Sequence, residues 1–182
     1  MIFAPTPLAG AFLLEMERHQ DERGFFARLF CHREFAAHGL NARVAQSSIS
    51  FSRKKGTLRG MHWQAAPHQE VKLVTCLRGS IYDVIVDLRS DSPHFLEHFA
   101  VELSASNRRL LYIPEGFAHG FQTLEDDSEV FYQMSEFFAP EHACGARWDD
   151  PAFGIPWPAD DRTIIDRDRN YPPFSVAAGV RP

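Results

Sequence analysis

The amino-acid sequence predicts an all-β domain made of antiparallel sheets, either closed or packed as a double layer. Three observations carry this. Short strand-like runs recur along the chain, Gly/Pro/Ser/Asp turns separate them, and helix signals are few. A chain of 182 residues suits one domain with a core of its own. The expected domain spans 1–174, with a flexible tail over 175–182.

Taken in order, Arg33 to His38 predicts a helical turn or two, stopped at Gly39. Gly56 to Gln64 is strand-like but carries two glycines, an arginine and a histidine, costly choices for a purely structural strand. Glu70 to Leu77 is a strand, Gly79-Ser80 a turn, and Ile81 to Leu88 the next strand. Its alternation puts Ile81, Asp83, Ile85 and Asp87 on one face and Tyr82, Val84, Val86 and Leu88 on the other. Arg89 to Pro93 is a loop, and Phe95–Leu103, Arg108–Ile113 and Glu129–Phe138 are further strands. The segment containing Trp148, Pro151, Pro156, Trp157 and Pro158 is expected to wrap the outside as irregular structure.

A formal net charge of −5 argues against a nucleic-acid partner, although pocket charge and net charge are separate matters. No apolar run approaches the ~18–20 residues of a membrane span. Met1 to Pro5 lacks the basic-then-apolar order of a signal peptide. Cys31, Cys76 and Cys144 are scattered and odd in number, without metal spacing, which points to a reduced, cytoplasmic setting.

Chemistry concentrates first in Gly56-Thr57-Leu58-Arg59-Gly60-Met61-His62-Trp63-Gln64. A regular strand would send Arg59 and His62 to opposite faces, whereas a bulge at Gly60 would let both reach one pocket. His62 can equally be read as a packed core histidine and Arg59 as a surface charge. Lys72 shares a strand face with Glu70. If turned inward it needs a partner, for which Asp83 and Asp87 are candidates; if turned outward it is an ordinary cross-strand ion pair. Tyr132 by itself reads as core or rim packing, and Asp166 and Asp168 as a solvated charge run.

Ile113-Pro114-Glu115-Gly116-Phe117-Ala118-His119-Gly120 contains the Pro-x-Gly-x-x-His motif of the cupin jelly roll, in which the histidine is often a metal ligand. Metal-binding cupins usually carry a second ligand where this chain has Gln64, and glutamine is a poor ligand for transition metals. The motif therefore supports a cupin-like double-sheet jelly roll with short peripheral helices, but no metal site. His119 is then a substrate contact or a packed histidine.

In order and spacing, the segments Asp21 to Phe26, Gly56 to Gln64, Lys72, Val86 to Arg89, Ile113 to Phe121, Tyr132 and Trp148 to Pro151 resemble the dTDP-4-dehydrorhamnose 3,5-epimerase family. These are metal-independent, cupin-like enzymes acting on nucleotide-linked 4-keto sugars. The resemblance implies an isomerase without cofactor or metal, whose partner is a nucleotide-diphosphate 4-keto sugar, dTDP-linked. His62 matches the general base, a role suited to an imidazole titrating near ~6.5. Asp168 matches the carboxylate that orients it, Lys72 the group that stabilises the enolate oxygen, and Tyr132 the acid that returns a proton to the opposite face. Arg23 and Arg59 match diphosphate ligands. Phe25, Gln46, Ser48, His119, Phe138 and Arg167 fall at further substrate-contacting positions, Phe138 standing where the family stacks a tyrosine on the thymine ring. The family's site takes in residues from a second subunit, so a homodimer is implied.

The chain also departs from the family pattern. Arg28 replaces a glutamate, Ser48 an asparagine, Ala143 a substrate-contacting glutamate and Arg167 a lysine, and the stretch from Gln46 to His62 is one residue longer. Two other readings remain on these residues: a metal-dependent cupin enzyme using His62 and His119, and a non-catalytic sugar-nucleotide-binding relative.

Overall fold

In the computed structural model, which describes residues 1–175, thirteen strands dominate. The expected tail lies, from residue 176 onward, outside the described residues. In chain order the strands are β1 (Ile2–Pro5), β2 (Phe12–Glu15), β3 (Arg18–Asp21), β4 (Gly24–Ala27), β5 (Gln46–Ser52), β6 (Leu58–Gln64) and β7 (Lys72–Arg78). They continue with β8 (Ser80–Asp87), β9 (His98–Ser104), β10 (Leu110–Ile113), β11 (Phe117–Thr123), β12 (Ser128–Met134) and β13 (Ala143–Gly145). Helix α1 (His32–Ala37) lies between β4 and β5, and α2 (Asp166–Arg169) follows β13.

The strands form a six-stranded sheet, β1-β2-β10-β7-β12-β5, and a five-stranded sheet, β13-β6-β11-β8-β9, with β3 and β4 as a separate hairpin. All pairings between these strands are antiparallel. This is the expected double-sheet jelly roll, with two short peripheral helices.

Period-two alternation decides which side chains fill which layer. On β8, Ile81 and Ile85 join Val74, Leu103, Leu111, Phe117 and Val130 in the core shared by the sheets. Tyr82, Val84 and Val86 turn the other way, where Trp148, Phe153 and Trp157 of the irregular C-terminal wrap cover them. Phe35 of α1, 1% exposed, seals the outer face of the six-stranded sheet against Leu14, Leu73 and Tyr112. Truncating such a buried ring costs about 3–5 kcal/mol. The helix stops where expected: the Gly39 N–H donates to Ala36 O (3.0 Å) at a left-handed φ of 70°.

Several boundaries differ from the expectation for local reasons. The strand expected from Phe95 begins at His98, because Ser92 to Leu96 is a turn with Leu96 at φ 66°. The one expected from Arg108 begins at Leu110, Arg108 itself having φ 55°. The one expected to run to Phe138 ends at Met134, where Ser135 leaves the β5–β7 ladder to bond Val71 through backbone and hydroxyl.

The bulge expected at Gly60 is present. Against β11, His119 pairs with His62 and Phe121 with Arg59, so β6 carries one extra residue between these pairs. Gly60 has φ 130°, and a Cβ there would lie 2.5 Å from Gly120 Cα. A Cβ on Gly120 would in turn meet Met61 Sδ at 2.7 Å. The two glycines allow the backbones to approach at the bulge, and the bulge brings Arg59 and His62 to the same cavity.

Candidate active site

A cavity of about 840 Å³ opens between the two sheets. From β6 and β11 of the five-stranded sheet come Arg59, His62 and His119; from β5, β7 and β12 of the other come Gln46, Ser48, Lys72 and Tyr132. Phe138, Arg167 and Asp168 complete the set from loops and α2. Ten of the twelve candidate residues therefore converge, although they span more than a hundred positions of sequence.

His62, with 30% of its side chain exposed, sets Nε2 at 2.9 Å from Asp168 Oδ1. An ionised carboxylate can only accept, so the imidazole presents an N–H at Nε2; in the neutral ring Nδ1 is then the basic nitrogen. Asp168 is 1% exposed, which corrects the solvated charge run: α2 turns it inward while Asp166 stays outside. Its Oδ2 also accepts from Gly60 N–H (3.3 Å) and its Oδ1 from Arg167 Nε (3.1 Å). Burial pushes the Asp168 carboxyl up, but the His62 hydrogen bond and charge, with Gly60 and Arg167, outweigh it and hold the pKa below the usual carboxylate range. Arg167 Nη2 lies 3.3 Å from His62 Nε2, so the guanidinium and the imidazole share one acceptor oxygen.

On the facing sheet, Tyr132 pairs across strands with Ser48 on one side and Val74 on the other. Its ring meets that of His119 edge to face, centroids 6.1 Å apart. Part of the ring surface stays open toward the cavity, yet protein encloses the phenol. Burial, then the negative charge of Asp83, pushes its pKa far above the ordinary phenol value, with Arg59 opposing.

Lys72 finds a different partner from those expected. Its Nζ lies 3.2 Å from Glu70 Oε1, and both residues line the cavity. Asp83 is instead bonded to His119 Nε2 (2.7 Å), and Asp87 to Arg89 and to the Ser92 hydroxyl, where it anchors the 89–93 loop. His119 is thus a buried histidine, 5% exposed, that still forms part of the cavity wall.

The substrate-holding candidates divide. Arg59 is held by Ser52 Oγ (3.3 Å) and Phe51 O (3.1 Å). Gln46 Oε1 accepts the Phe138 N–H (2.7 Å), presenting a Phe138 ring that is 63% exposed at the rim. Arg23 and Phe25 do not line the cavity of their own chain. They sit on the β3–β4 hairpin, where Arg23 pairs with Asp21 (2.6 Å) and the Phe25 ring lies beneath the Arg108 guanidinium (4.8 Å). Arg28 is also outside the cavity and pairs with Glu34 (2.9 Å), whereas Ser48 and Ala143 line it.

Gln64 occupies the position where a second cupin ligand would stand, but it is consumed structurally. Its Nε2 donates to His68 O (2.9 Å) and Phe137 O (3.2 Å), and its Oε1 accepts Ala139 N–H (2.7 Å). Two further cavity residues, Glu70 and Tyr171, are not among the sequence candidates. Glu70 was visible only as a face-mate of Lys72. Tyr171 packs over Gly145, where a Cβ would lie 2.2 Å from the ring, and meets His62 edge to face at 6.1 Å.

Comparison with known proteins decides the family. The sequence model of dTDP-4-dehydrorhamnose 3,5-epimerase matches residues 5–175. The chain belongs to the dTDP-4-dehydrorhamnose 3,5-epimerase family. It is an enzyme of the isomerase class. Among family members, the dTDP-4-dehydrorhamnose 3,5-epimerase of Methanothermobacter thermautotrophicus is 45% identical, with 94% of each chain covered. The Bacillus anthracis 3,5-epimerase, solved with TDP and pyrophosphate, superposes with a TM-score of 0.92 at 39% identity, over 95% of this chain and 99% of that one. ChmJ of Streptomyces bikiniensis, a 3'-monoepimerase solved with dTDP-quinovose, gives 0.85 at 34% identity, over 96% and 87%. Among the described residues no helix is long and apolar enough to cross a membrane.

Proposed function

We propose that this protein epimerises a dTDP-linked 4-keto-6-deoxyhexose at carbons flanking the ketone, and does so as a homodimer. The observation that carries the reading is the placement of the His62–Asp168 pair on one wall of the cavity and of Tyr132 and Lys72 on the other. A ketone at C4 acidifies the hydrogens on C3 and C5. His62 takes one of them and becomes an imidazolium, which ionised Asp168 stabilises. The electron pair moves onto the C4 oxygen, where the Lys72 ammonium offsets the developing negative charge. Tyr132 delivers its proton to the same carbon from the opposite face, so the centre inverts. Enclosure by protein disfavours the tyrosinate, so the phenol stays protonated before the step; after it, His62 gives its proton to water and Tyr132 takes one back from water.

Arg59 and Arg167, two of the guanidiniums that line the cavity, hold the diphosphate, and Phe138 offers an open ring for the thymine to stack on. Arg23 and Phe25, exposed on the hairpin and remote from their own cavity, fit a role in the partner subunit's site.

The test is incubation with dTDP-4-keto-6-deoxyglucose in heavy water, followed by NMR. Deuterium should enter C3, C5 or both, with inversion, and His62→Ala should abolish it. Absence of exchange with this and related 4-keto sugar nucleotides would refute the proposal and favour a binding protein.

A further inference from the structure

Outside the cavity, the turn after β6 and the 3-10 turn Pro140–His142 bring His68, Glu141 and His142 together. One ligating atom from each lies within 4.8 Å of the other two, and the imidazole centroids are 4.6 Å apart. Among the described residues none of the three side chains makes a hydrogen bond or ion pair with protein. Two imidazoles tilted by 46° to each other, beside a carboxylate, put three electron-pair donors within reach of one cation.

The backbone holds this arrangement in place. Ala65 bonds both histidines: its N–H donates to His142 O (2.9 Å) and its carbonyl accepts His68 N–H (3.0 Å). The Gln64 side chain repeats the clamp, gripping His68 O on one side and Phe137 O with Ala139 N–H on the other. The backbones of the two turns are therefore tied together at the end of β6. Nearby in sequence, Glu136 is engaged by Arg43 (2.8 Å) and by the Phe137 N–H, so it is not available to the trio.

We propose that His68, Glu141 and His142 form a binding site for a divalent transition cation of the zinc class, separate from the sugar-nucleotide cavity. Two imidazoles and one carboxylate suit zinc, cobalt or nickel and do not suit magnesium or calcium, which favour all-oxygen shells. Bonds of ~2.0–2.2 Å to one ion place ligand atoms roughly 3.3–3.6 Å apart, against separations of no more than 4.8 Å between the three here, so binding would draw the side chains together. Remaining positions go to water, since the trio is partly exposed. The bound ion would pin the 65–68 turn to the 140–142 turn. Each turn leads within two residues to the cavity wall, at Glu70 and at Ala143 and Cys144, so occupancy would stiffen that wall.

The experiment uses the untagged, chelator-stripped, full-length protein, dialysed against Zn²⁺, Co²⁺ or Mg²⁺, with bound metal quantified and Co²⁺ absorption recorded. About one equivalent of Zn²⁺ or Co²⁺ per chain is expected, with no retention of Mg²⁺ and a rise in Tm on adding Zn²⁺. His68→Gln and His142→Ala should each weaken Zn²⁺ binding at least ~10-fold and remove the Tm rise. Circular dichroism of the metal-free variants checks that they fold. Failure of the wild type to retain Zn²⁺ or Co²⁺, or retention unchanged in both folded variants, would overturn the proposal.

Discussion

Replacing Tyr132 with phenylalanine separates the two halves of the proposed reaction. The ring stays, so its packing beside the shared core is kept; what is lost is one hydroxyl, whose hydrogen bonding contributes at most about 0.5–1.5 kcal/mol, a shift of only a few degrees in Tm for a domain of this size. The chemical loss is larger. A positioned general acid contributes about 10²–10⁴-fold, or roughly 2.7–5.4 kcal/mol of barrier. His62 and Asp168 stand on the other wall and are untouched. The variant should therefore still remove the substrate proton, exchange it for deuterium on the imidazole and return it to the same face. Time-resolved NMR in heavy water should show deuterium uptake with configuration retained, while inverted product forms at least ~100-fold more slowly than in wild type. Loss of both processes in equal measure, or inversion at the wild-type rate, would refute the assignment of Tyr132 as the opposing acid. The raised pKa adds a second check: because burial keeps the phenol protonated above its ordinary range, wild-type inversion should show no loss centred near ~10 from Tyr132 ionising.

Further consequences follow from the same geometry. Asp168→Asn should lower kcat by about 10²–10⁴-fold by removing the charge that stabilises the imidazolium. Because the Asp168 pKa is lowered on folding, its contribution to stability is present above the unfolded value near ~3.9 and fades as pH falls through the folded value; thermal melts from pH 7 to pH 3 should show the wild-type advantage over Asp168→Asn shrinking only at the acid end. Gln64→Ala removes three hydrogen bonds from a buried site, and a loss of about 2–4 kcal/mol should appear as a lower urea midpoint. Arg23→Ala and His62→Ala should each impair activity alone, yet co-refolded mixtures should recover roughly a quarter of wild-type activity, since half the dimers are mixed and each then holds one intact site; no recovery would place Arg23 outside the partner's site.

Much of this enzyme could be read from local pattern. Alternation along residues 81–88 assigned both faces of β8, the glycine after α1 marked its end, and the glycine between Arg59 and His62 marked the bulge that brings both side chains to one cavity. These features depend on residues a few positions apart and on backbone sterics, so the amino-acid sequence by itself determines them. Strands near the N-terminus and the β5 ladder were not legible, because their alternation is interrupted by polar residues such as Arg18, His19, Ser47 and Ser48, and pairing with neighbours, not composition, makes them strands.

The partners of charges were decided by tertiary structure. Lys72 lies on a strand between β10 and β12, so the carboxylates of β8 in the facing sheet are engaged by His119 and Arg89, and Glu70 meets Lys72 instead. Asp168 sits in a stretch that reads as solvated, yet it is buried because the C-terminal wrap carries α2 back onto β6, 106 residues away from His62 in sequence. Side-chain alternation is written into neighbouring residues, whereas the desolvation and charge pairing that set a reactive group's protonation depend on which distant segments the fold closes over it.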